Sequence, residues 1–215
     1  MRTHFLALIL LFFTANTVAQ NTSLKIPTNQ VGPFSQIIKD KLKAFTLPSQ
    51  GELDDLLSGE VLSNGNVSSP RDKEQKLTLM VVGIHPRTCS KAMRKLSLYE
   101  NYHNYMDFIK TSSYEDATQK FSFTIDHTLL PFSMIVRFKI PRITGPGQYP
   151  FIFEDGFLKN LKGTVVVENL GPHCLMALRS DWQGPETKIP NIIFGSFIQT
   201  VGKLGLEHLI RVSLF

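Results

Sequence analysis

The chain has 215 residues, of which 42% are hydrophobic, and carries 23 Lys and Arg against 18 Asp and Glu, a formal net charge of +5. This length suits one domain, or one domain with an appendage. The positive charge is spread along the chain without a basic block, which argues against nucleic-acid binding and leaves peripheral contact with an anionic membrane open. The two cysteines match no metal-ligand spacing. The sequence holds no P-loop, dinucleotide fingerprint or catalytic triad, so we expect neither a metal nor a cofactor.

Residues 1–19 have the pattern of a signal peptide. Arg2 and His4 precede the apolar run FLALILLFF (5–13), and small and polar residues follow as far as Ala19. The run is too short to cross a bilayer comfortably, and the small residues suit cleavage after Ala19. The sequence therefore predicts export to a periplasm or to the extracellular space, with an uncleaved anchor as the alternative.

Residues 20–74 are predicted to form a leader before a main domain at 75–215. FSQIIKDKLKAF (34–45) has one apolar stripe and predicts an amphipathic helix. GELDDLLSGEVLS predicts a short helix followed by a short strand at Glu60–Ser63. NGNVSSPRDKEQ (64–75) predicts a turn-rich, exposed connection.

From Lys76 onward, strand-like segments separated by short turns predominate. KLTLMVVGIH (76–85) predicts a strand, and TCSKAMRKLSLYENYHNYM (88–106) a helix in two pieces. Further strands are predicted at 107–114, 120–129, 132–140, 149–154, 162–168 and 173–183, and a long helix at 190–214. Short turns favour an antiparallel meander, and one long amphipathic helix can cover the apolar face of a curved sheet. The fold class is therefore α+β.

The strand pair at 120–140 indicates which face of the sheet is apolar. A connection centred on Leu130-Pro131 predicts an apolar face on which Phe121 pairs with Ile140, Phe123 with Phe138, Ile125 with Val136, and His127 with Met134. The opposite face is polar, as a half-buried sheet requires. A longer connection of even length would keep these faces.

His127 is the polar member of the apolar face. It either forms a hydrogen bond at the sheet rim or provides a polar handle inside a pocket. We expect Asp126, Arg137, Arg179 and Asp181 to be outward surface charges.

The last predicted helix contains three glycines, each of which costs roughly 1 kcal/mol relative to alanine. Gly195, Gly202 and Gly205 share one stripe, which favours close approach of backbone, sheet or ligand. A kinked helix that opens like a lid is the alternative.

One stretch, VVGIHPRTCSKAMRKLSLYENYHNYMDFI (81–109), combines a strand, a proline, a helix and a pattern close to L-x-D-Y-x-x-Y-P-x-F. Tyr99, Tyr102 and Tyr105 hold its aromatic positions, whereas Leu98 and His103 replace the usual aspartate and proline. With the order of elements over residues 75–214, it resembles the START-like superfamily of Bet v 1, polyketide cyclase/dehydratase and coenzyme-Q-binding proteins.

The resemblance implies a helix-grip fold, in which a curved seven-stranded antiparallel sheet wraps around the long C-terminal helix and leaves a cavity. Members of the superfamily bind sterols, phospholipids, polyketides, quinones or plant hormones, and a minority catalyse cyclisation or dehydration without a universal catalytic residue. By this resemblance the cavity would be lined by Phe121, Phe123, Ile125, His127, Met134, Val136, Phe138, Phe151, Phe153, Trp182, Phe194, Phe197 and Val201. Tyr99, Tyr102 and Tyr105 would lie at its mouth, on a short helix that plugs one end.

The resemblance also bears on the cysteines. In this fold the last strand pairs with the first, which brings Cys174 near Cys89. A disulfide between them is therefore expected in an oxidising compartment.

Three functions remain open. The favoured one is an exported binding protein that holds an apolar small molecule or lipid, of a lipid, quinone or polyketide type, in the cavity. The second is a cyclase/dehydratase-type enzyme that uses His127 as its acid or base. The third is an interaction protein without catalytic activity, whose cavity is packed shut.

Overall fold

The computed structural model describes residues 31–42, 49–126, 133–156, 158–187 and 189–214; the side chains of residues 31–34 and of Met134 lie outside this description. In chain order the elements are helices α1 (Val31–Lys41) and α2 (Gln50–Ser58), strands β1 (Leu62–Ser68) and β2 (Glu74–His85), helix α3 (Cys89–Leu96), a 3-10 turn (Tyr99–Asn101), the one-turn helix α4 (Tyr102–Tyr105), strands β3 (Ile109–Glu115), β4 (Lys120–Ile125), β5 (Met134–Lys139), β6 (Gly147–Phe153), β7 (Lys162–Leu170) and β8 (His173–Pro185), and helix α5 (Asn191–Val212).

The described strands form one eight-stranded antiparallel sheet in the order β1-β2-β8-β7-β6-β5-β4-β3. Strands β2 to β8 and helix α5 follow the element order expected of a helix-grip fold, so the predicted α+β class is confirmed. The predicted number of seven strands is too low by one, because β1 adds an edge strand beside β2.

Strand β1 corrects the interpretation of residues 60–75. The predicted strand at Glu60–Ser63 starts too early and ends too soon, and the predicted turn-rich connection is wrong for residues 64–68, which pair with β2 from Leu62↔Val82 to Ser68↔Lys76. Asn and Gly are weak strand formers, so the local sequence favours a turn. The free edge of β2 supplies the backbone partners that override this preference. Strand β1 lies before the predicted boundary at residue 75 and belongs to the same sheet.

A hydrophobic layer covers the outer face of the sheet. Ile38 of α1 and Leu53 and Leu56 of α2 are fully buried there. They share a cluster with Val82 of β2 and Leu175 of β8. The adjacent residues Val81 and Met176 belong instead to the core on the inner face of the sheet. Strands β2 and β8 are therefore buried on both faces, which is why MVVGI and CLMAL are continuous apolar runs rather than alternating ones.

Helix α2 has well-defined signals at both ends. Ser49 accepts a hydrogen bond from the Glu52 backbone N–H at 3.3 Å, and the Glu52 carboxylate accepts one from the Ser49 N–H at 2.8 Å. This capping box satisfies two donors that a helix start would otherwise leave unpaired. Gly59, with φ of 100°, terminates the helix in the left-handed conformation that glycine favours.

The β4–β5 pair keeps the predicted faces but not the predicted register. Phe121 pairs with Phe138, Phe123 with Val136 and Ile125 with Met134, a shift of two residues from the predicted pairing. Leu-Pro is poor chemistry for a two-residue turn, and the connection from Ile125 to Met134 is longer. Because the shift is even, the apolar side chains stay on one face.

Helix α5 lies on the inner face and packs mainly on β1 and β2. The Gln199 side chain donates to the Gly65 carbonyl at 3.0 Å, and Ser63 Oγ donates to the Gln199 carbonyl at 3.0 Å. A Cβ on Gly202 would lie 2.7 Å from Cγ2 of Val81, so this glycine allows the close approach that its stripe predicts. A Cβ on Gly205 would meet nothing within 4 Å, so the prediction does not extend to that position.

Cys89 and Cys174 form a disulfide, with their Cα atoms 4.7 Å apart. The antiparallel pairing of β2 with β8 places Cys174 opposite His85, just before α3 begins. The bond therefore ties the start of α3 to the start of β8.

Candidate functional site

The inner face of the sheet has a closed end and an open part, and the predicted tyrosines lie at the closed end. The Tyr99 ring stacks on Phe121, with centroids 5.1 Å apart, and meets Tyr102 and Tyr114 edge-on at 5.8 and 4.9 Å. Its hydroxyl donates to the Pro141 carbonyl at 3.2 Å and accepts from the Ile143 N–H at 3.0 Å. Burial raises the pKa of Tyr99. We call the segment Tyr99–Tyr105 the plug, and Tyr99 is a packed, neutral residue within it.

The other two tyrosines of the predicted mouth are half-buried. The Tyr102 hydroxyl donates to the Leu96 carbonyl at 2.8 Å, and burial raises the pKa of Tyr102 well above its ordinary value. The Tyr105 ring lies 5.2 Å from Lys95 Nζ. The Tyr99 and Tyr102 hydroxyls are therefore occupied by backbone groups, as a plug requires.

Arg142 stabilises the plug through hydrogen bonds on its outer side. Its guanidinium donates to both carboxylate oxygens of Asp116 at 3.0 Å and to Glu100 at 2.9 Å, and lies 4.5 Å from the centre of the Tyr114 ring. It also donates to the Ser97 carbonyl at 2.6 Å. Charge-assisted bonds of this kind hold the 3-10 turn against β3.

Four of the predicted cavity residues are buried in the core. These are Phe121, Phe151, Trp182 and Phe194. Trp182 is 3% exposed and donates its Nε1–H to the Lys159 carbonyl at 3.0 Å, so it lies within the core. Its ring meets that of Phe194 edge-on, with centroids 6.3 Å apart.

Five further predicted residues are only half-buried, although they lie on the same inner face. They are Phe123, Ile125, Val136, Phe138 and Phe153. Phe138 stacks on Phe153 with centroids 5.1 Å apart and an interplanar angle of 10°, and meets Phe123 edge-on at 6.2 Å. The rings form a continuous aromatic surface that the rest of the described chain leaves partly open to solvent.

One flank of α5 presents a second open apolar surface. Phe197, Val201 and Leu204 are 44, 51 and 48% exposed. On the opposite flank, Gln199 contacts β1, while Phe194 and Ile198 point into the core. The 3.6-residue period therefore turns the exposed flank away from β1, toward the strands beyond β2.

We call these two surfaces together the apolar groove. It comprises Phe123, Ile125, Val136, Phe138, Phe153, Phe197, Val201 and Leu204. These residues belong to β4, β5, β6 and α5, and the tyrosine plug contacts the surface at Phe121. Leu204 was not among the predicted lining residues, although its helical spacing from Phe197 and Val201 could have indicated it.

The predicted polar handle, His127, lies outside the described residues, as does the side chain of Met134. Asp126 pairs with Lys110 at 3.0 Å and Arg137 with Asp155 at 2.6 Å, both on the surface. Arg179 lies 3.8 Å from Asp181 and is exposed. These charges therefore lie where an outward polar face was predicted.

A buried histidine–serine contact elsewhere in the molecule has the wrong polarity for nucleophilic catalysis. His85 is 0% exposed; its Nδ1 accepts from the Arg87 N–H at 3.0 Å, so the neutral ring carries its proton on Nε2 and donates to Ser213 Oγ at 3.0 Å. Ser213 in turn donates to the Leu209 carbonyl at 2.7 Å. A serine nucleophile must donate to its histidine base, so this pair is structural.

Within the described residues, no group of three or more His, Cys, Asp and Glu side chains is placed to hold a metal ion. Across the same ranges, no helix is long and apolar enough to cross a membrane.

Several solved structures share this arrangement of sheet and helix. The chain is similar to the aromatase/cyclase ZhuI from Streptomyces sp. R1128, with a TM-score of 0.51 and 7% identity over 65% of this chain and 92% of that one. It is also similar to the di-domain aromatase/cyclase StfQ of the steffimycin pathway, with a TM-score of 0.54 and 7% identity over 64% of this chain and 49% of that one.

A third similar structure is Ara h 8.0201, with a TM-score of 0.50 and 11% identity over 65% of this chain and 98% of that one. A scan against family models finds no match, and a search of curated proteins finds no similar sequence. The likeness at these identities establishes the fold: the chain has a START-like helix-grip fold.

Proposed function

We propose that this protein binds an apolar small molecule or lipid in the apolar groove. The observation that carries the proposal is the uncovered apolar surface: Phe123, Phe138 and Phe153 on the inner face of the sheet are only half-buried, and Phe197 and Val201 on α5 are exposed. Large apolar patches on a protein surface commonly mark ligand or partner sites. An aromatic site with few polar groups suits a lipid, a quinone or a polyketide-like molecule.

The fold supports a small organic ligand. Two of the similar structures are aromatase/cyclases, so the same architecture serves small-molecule chemistry elsewhere. Burial of ligand surface would then supply most of the affinity.

We further propose that the protein is exported. The basic start, short apolar run and small residues of residues 1–19 support a cleaved signal peptide. The Cys89–Cys174 disulfide adds support, because such bonds persist mainly in oxidising compartments. Expression of the full chain followed by N-terminal sequencing of the exported product should give Gln20 as the first residue. A cytoplasmic product that retains Met1 would contradict export.

The ligand proposal is tested by organic extraction of the purified protein followed by mass spectrometry, and by titration with the neutral apolar probe N-phenyl-1-naphthylamine. A neutral probe avoids any contribution from surface charge. Val136→Gln and Val201→Gln would each place an unpaired amide in the groove. We expect about tenfold weaker probe binding in either variant, since burying such a group costs roughly 1–3 kcal/mol.

Ile135 provides the matched control. It is the neighbour of Val136 on β5, is 55% exposed and lies on the opposite face of the sheet. Ile135→Gln should leave probe binding unchanged. The proposal fails if extraction yields no apolar molecule and the probe binds equally well to all three variants, or if Ile135→Gln weakens binding as much as Val136→Gln.

A further inference from the structure

A small cleft between α3 and the end of α5 is lined by four basic side chains. It has a volume of about 160 Å³ and is bounded by Arg87, Lys91, Arg94 and Lys95, with Ser213 and Leu214 on the other side. We call it the basic cleft. Lys91, Arg94 and Lys95 have the i, i+3, i+4 spacing that places side chains on one face of a helix. Arg87 joins them from the loop that follows β2.

No carboxylate among the described residues lies within ion-pair distance of these four cations. Elsewhere on the described surface, cations commonly face acids: Lys41 pairs with Glu168 at 2.8 Å, and Arg142 binds both Glu100 and Asp116. Like charges within one helical turn repel one another. An anion between them would relieve that repulsion.

Ser213 and Lys95 are held in place by hydrogen bonds at the sides of the basic cleft. Ser213 is 7% exposed, and its hydroxyl is fixed by His85 and the Leu209 carbonyl. Lys95 Nζ donates to the Val212 carbonyl at 3.2 Å, which fixes the side chain across the cleft and leaves ammonium protons for a ligand. Arg87, Lys91 and Arg94 are exposed, so their charged ends are free to turn toward a ligand.

We propose that the basic cleft binds a phosphate group, either of an anionic lipid headgroup or of a soluble phosphate ester. Two guanidinium groups and two ammonium groups match the oxyanion of a phosphate in charge and in hydrogen-bond donors. The volume exceeds the roughly 30 Å³ that a water molecule occupies, so a tetrahedral oxyanion has room. This site is separate from the apolar groove and does not depend on the ligand proposed for it.

The test compares a double variant in the cleft with a matched double variant outside it. Lys91→Gln with Arg94→Gln removes two cations from the cleft. Lys76→Gln with Lys162→Gln removes the same charge from exposed positions on β2 and β7. All four side chains are exposed, so thermal unfolding of both variants should match that of the parent protein.

Two kinds of probe distinguish the sources of the phosphate. Calorimetric titration with inorganic phosphate and glycerol 3-phosphate reports a soluble ligand. Co-sedimentation with phosphatidylcholine vesicles, with and without phosphatidylglycerol, reports an anionic headgroup. We expect binding in at least one arm, about a hundredfold weaker in the cleft variant and unchanged in the control variant, since two charge-assisted hydrogen bonds are lost and each is worth about a factor of ten.

The outcomes are distinct. Soluble phosphate binding that depends on the cleft assigns a phosphate ester, and vesicle binding alone that depends on the cleft assigns a lipid headgroup. Absence of binding in both arms overturns the proposal. So does binding that survives in the cleft variant, or binding weakened equally by the control variant, which would indicate diffuse surface charge.

Discussion

The side-chain amide of Gln75 on β2 donates a hydrogen bond to Oδ1 of Asn191, the first residue of α5, at 2.9 Å. The same amide donates to the Ile189 carbonyl at 2.9 Å, and its oxygen accepts from the N–H and the hydroxyl of Thr187 at 2.8 and 2.7 Å. Gln75 is 1% exposed. One buried side chain therefore fixes the connection from β8 to α5, and with it the position of the helix that forms one side of the groove.

Replacement of Gln75 by leucine should lower the free energy of unfolding by about 2–4 kcal/mol. The substitution removes all four hydrogen bonds and leaves half-buried backbone groups of Thr187 and Ile189 without these partners, each at a cost of up to roughly 1–3 kcal/mol before relaxation. Urea unfolding monitored by circular dichroism measures the change. Gln183→Leu is the control, because Gln183 is exposed and should change stability by less than about 0.5 kcal/mol. Equal effects of the two variants would contradict a special role for Gln75.

The order of elements from β2 to α5 was accessible from the sequence, because local periodicity and turn chemistry encode it. The apolar face of the β4–β5 hairpin was also predictable, since alternation survives a shift of two residues in register. The register itself depends on the length of the connection, which the local pattern around Leu130-Pro131 does not determine.

The sequence predicted only the first two residues of β1, Leu62 and Ser63, and did not predict the outer layer, for different reasons. LSNGNVS lacks the residues that favour strands, and only its hydrogen bonds to the edge of β2 stabilise it as a strand. The stripe on α1 predicted a buried face but not what it packs against. The continuous apolar runs of β2 and β8 did carry that signal, because a strand with one solvated face would alternate.

The plug and the basic cleft illustrate a limit of local patterns. Tyr99 and Tyr102 were visible as a cluster, but their backbone partners at Pro141 and Leu96 become evident only in the folded chain. The four cations of the cleft are scattered over nine positions of a diffusely basic sequence. That no carboxylate of the described residues lies within ion-pair distance of them is a result of the fold.

Two glycines of α5 should respond to alanine substitution with opposite signs. A Cβ at position 202 would lie 2.7 Å from Cγ2 of Val81, a stiff β-branched side chain, so Gly202→Ala should destabilise the protein by about 1 kcal/mol despite the better helix propensity of alanine. Gly205→Ala meets nothing within 4 Å and should stabilise it by about 0.5–1 kcal/mol. Thermal or urea unfolding of the two variants measures the difference. Stabilisation by both would contradict the close contact between α5 and β2.

His85 should make the protein less stable as the pH falls below about 6.5. Burial lowers the pKa of His85 from its ordinary value of 6.5, and the neighbouring charges of Arg87 and His173 lower it further. The pKa of His173 is also lowered by burial. Below pH 6.5 the unfolded chain binds protons that the folded chain does not, so the free energy of unfolding decreases with falling pH.

Urea unfolding at pH 8 and pH 5.5 checks the sign of this dependence. His85→Gln should flatten it, because glutamine does not titrate, and His173→Gln should remove the smaller remainder. NMR titration of the imidazole protons provides the direct measurement. A folded-state midpoint for His85 at or above 6.5 would show that the ring is not held neutral.

Loss of the Cys89–Cys174 disulfide should destabilise the fold by about 3–5 kcal/mol. The bond closes a loop with a sequence separation of 85 residues, and the cost follows from the additional freedom of the unfolded chain. Urea unfolding with and without a reductant measures it on the parent protein. The Cys89→Ala, Cys174→Ala double variant serves as the control, since it should match the reduced protein and show no response to the reductant. Because the bond ties α3 to β8, the backbone amides of α3 should also exchange hydrogen with solvent faster in the reduced protein. If exchange and stability were both unchanged, the packing of Ala92, Met93 and Leu96 would be sufficient to hold α3 in place.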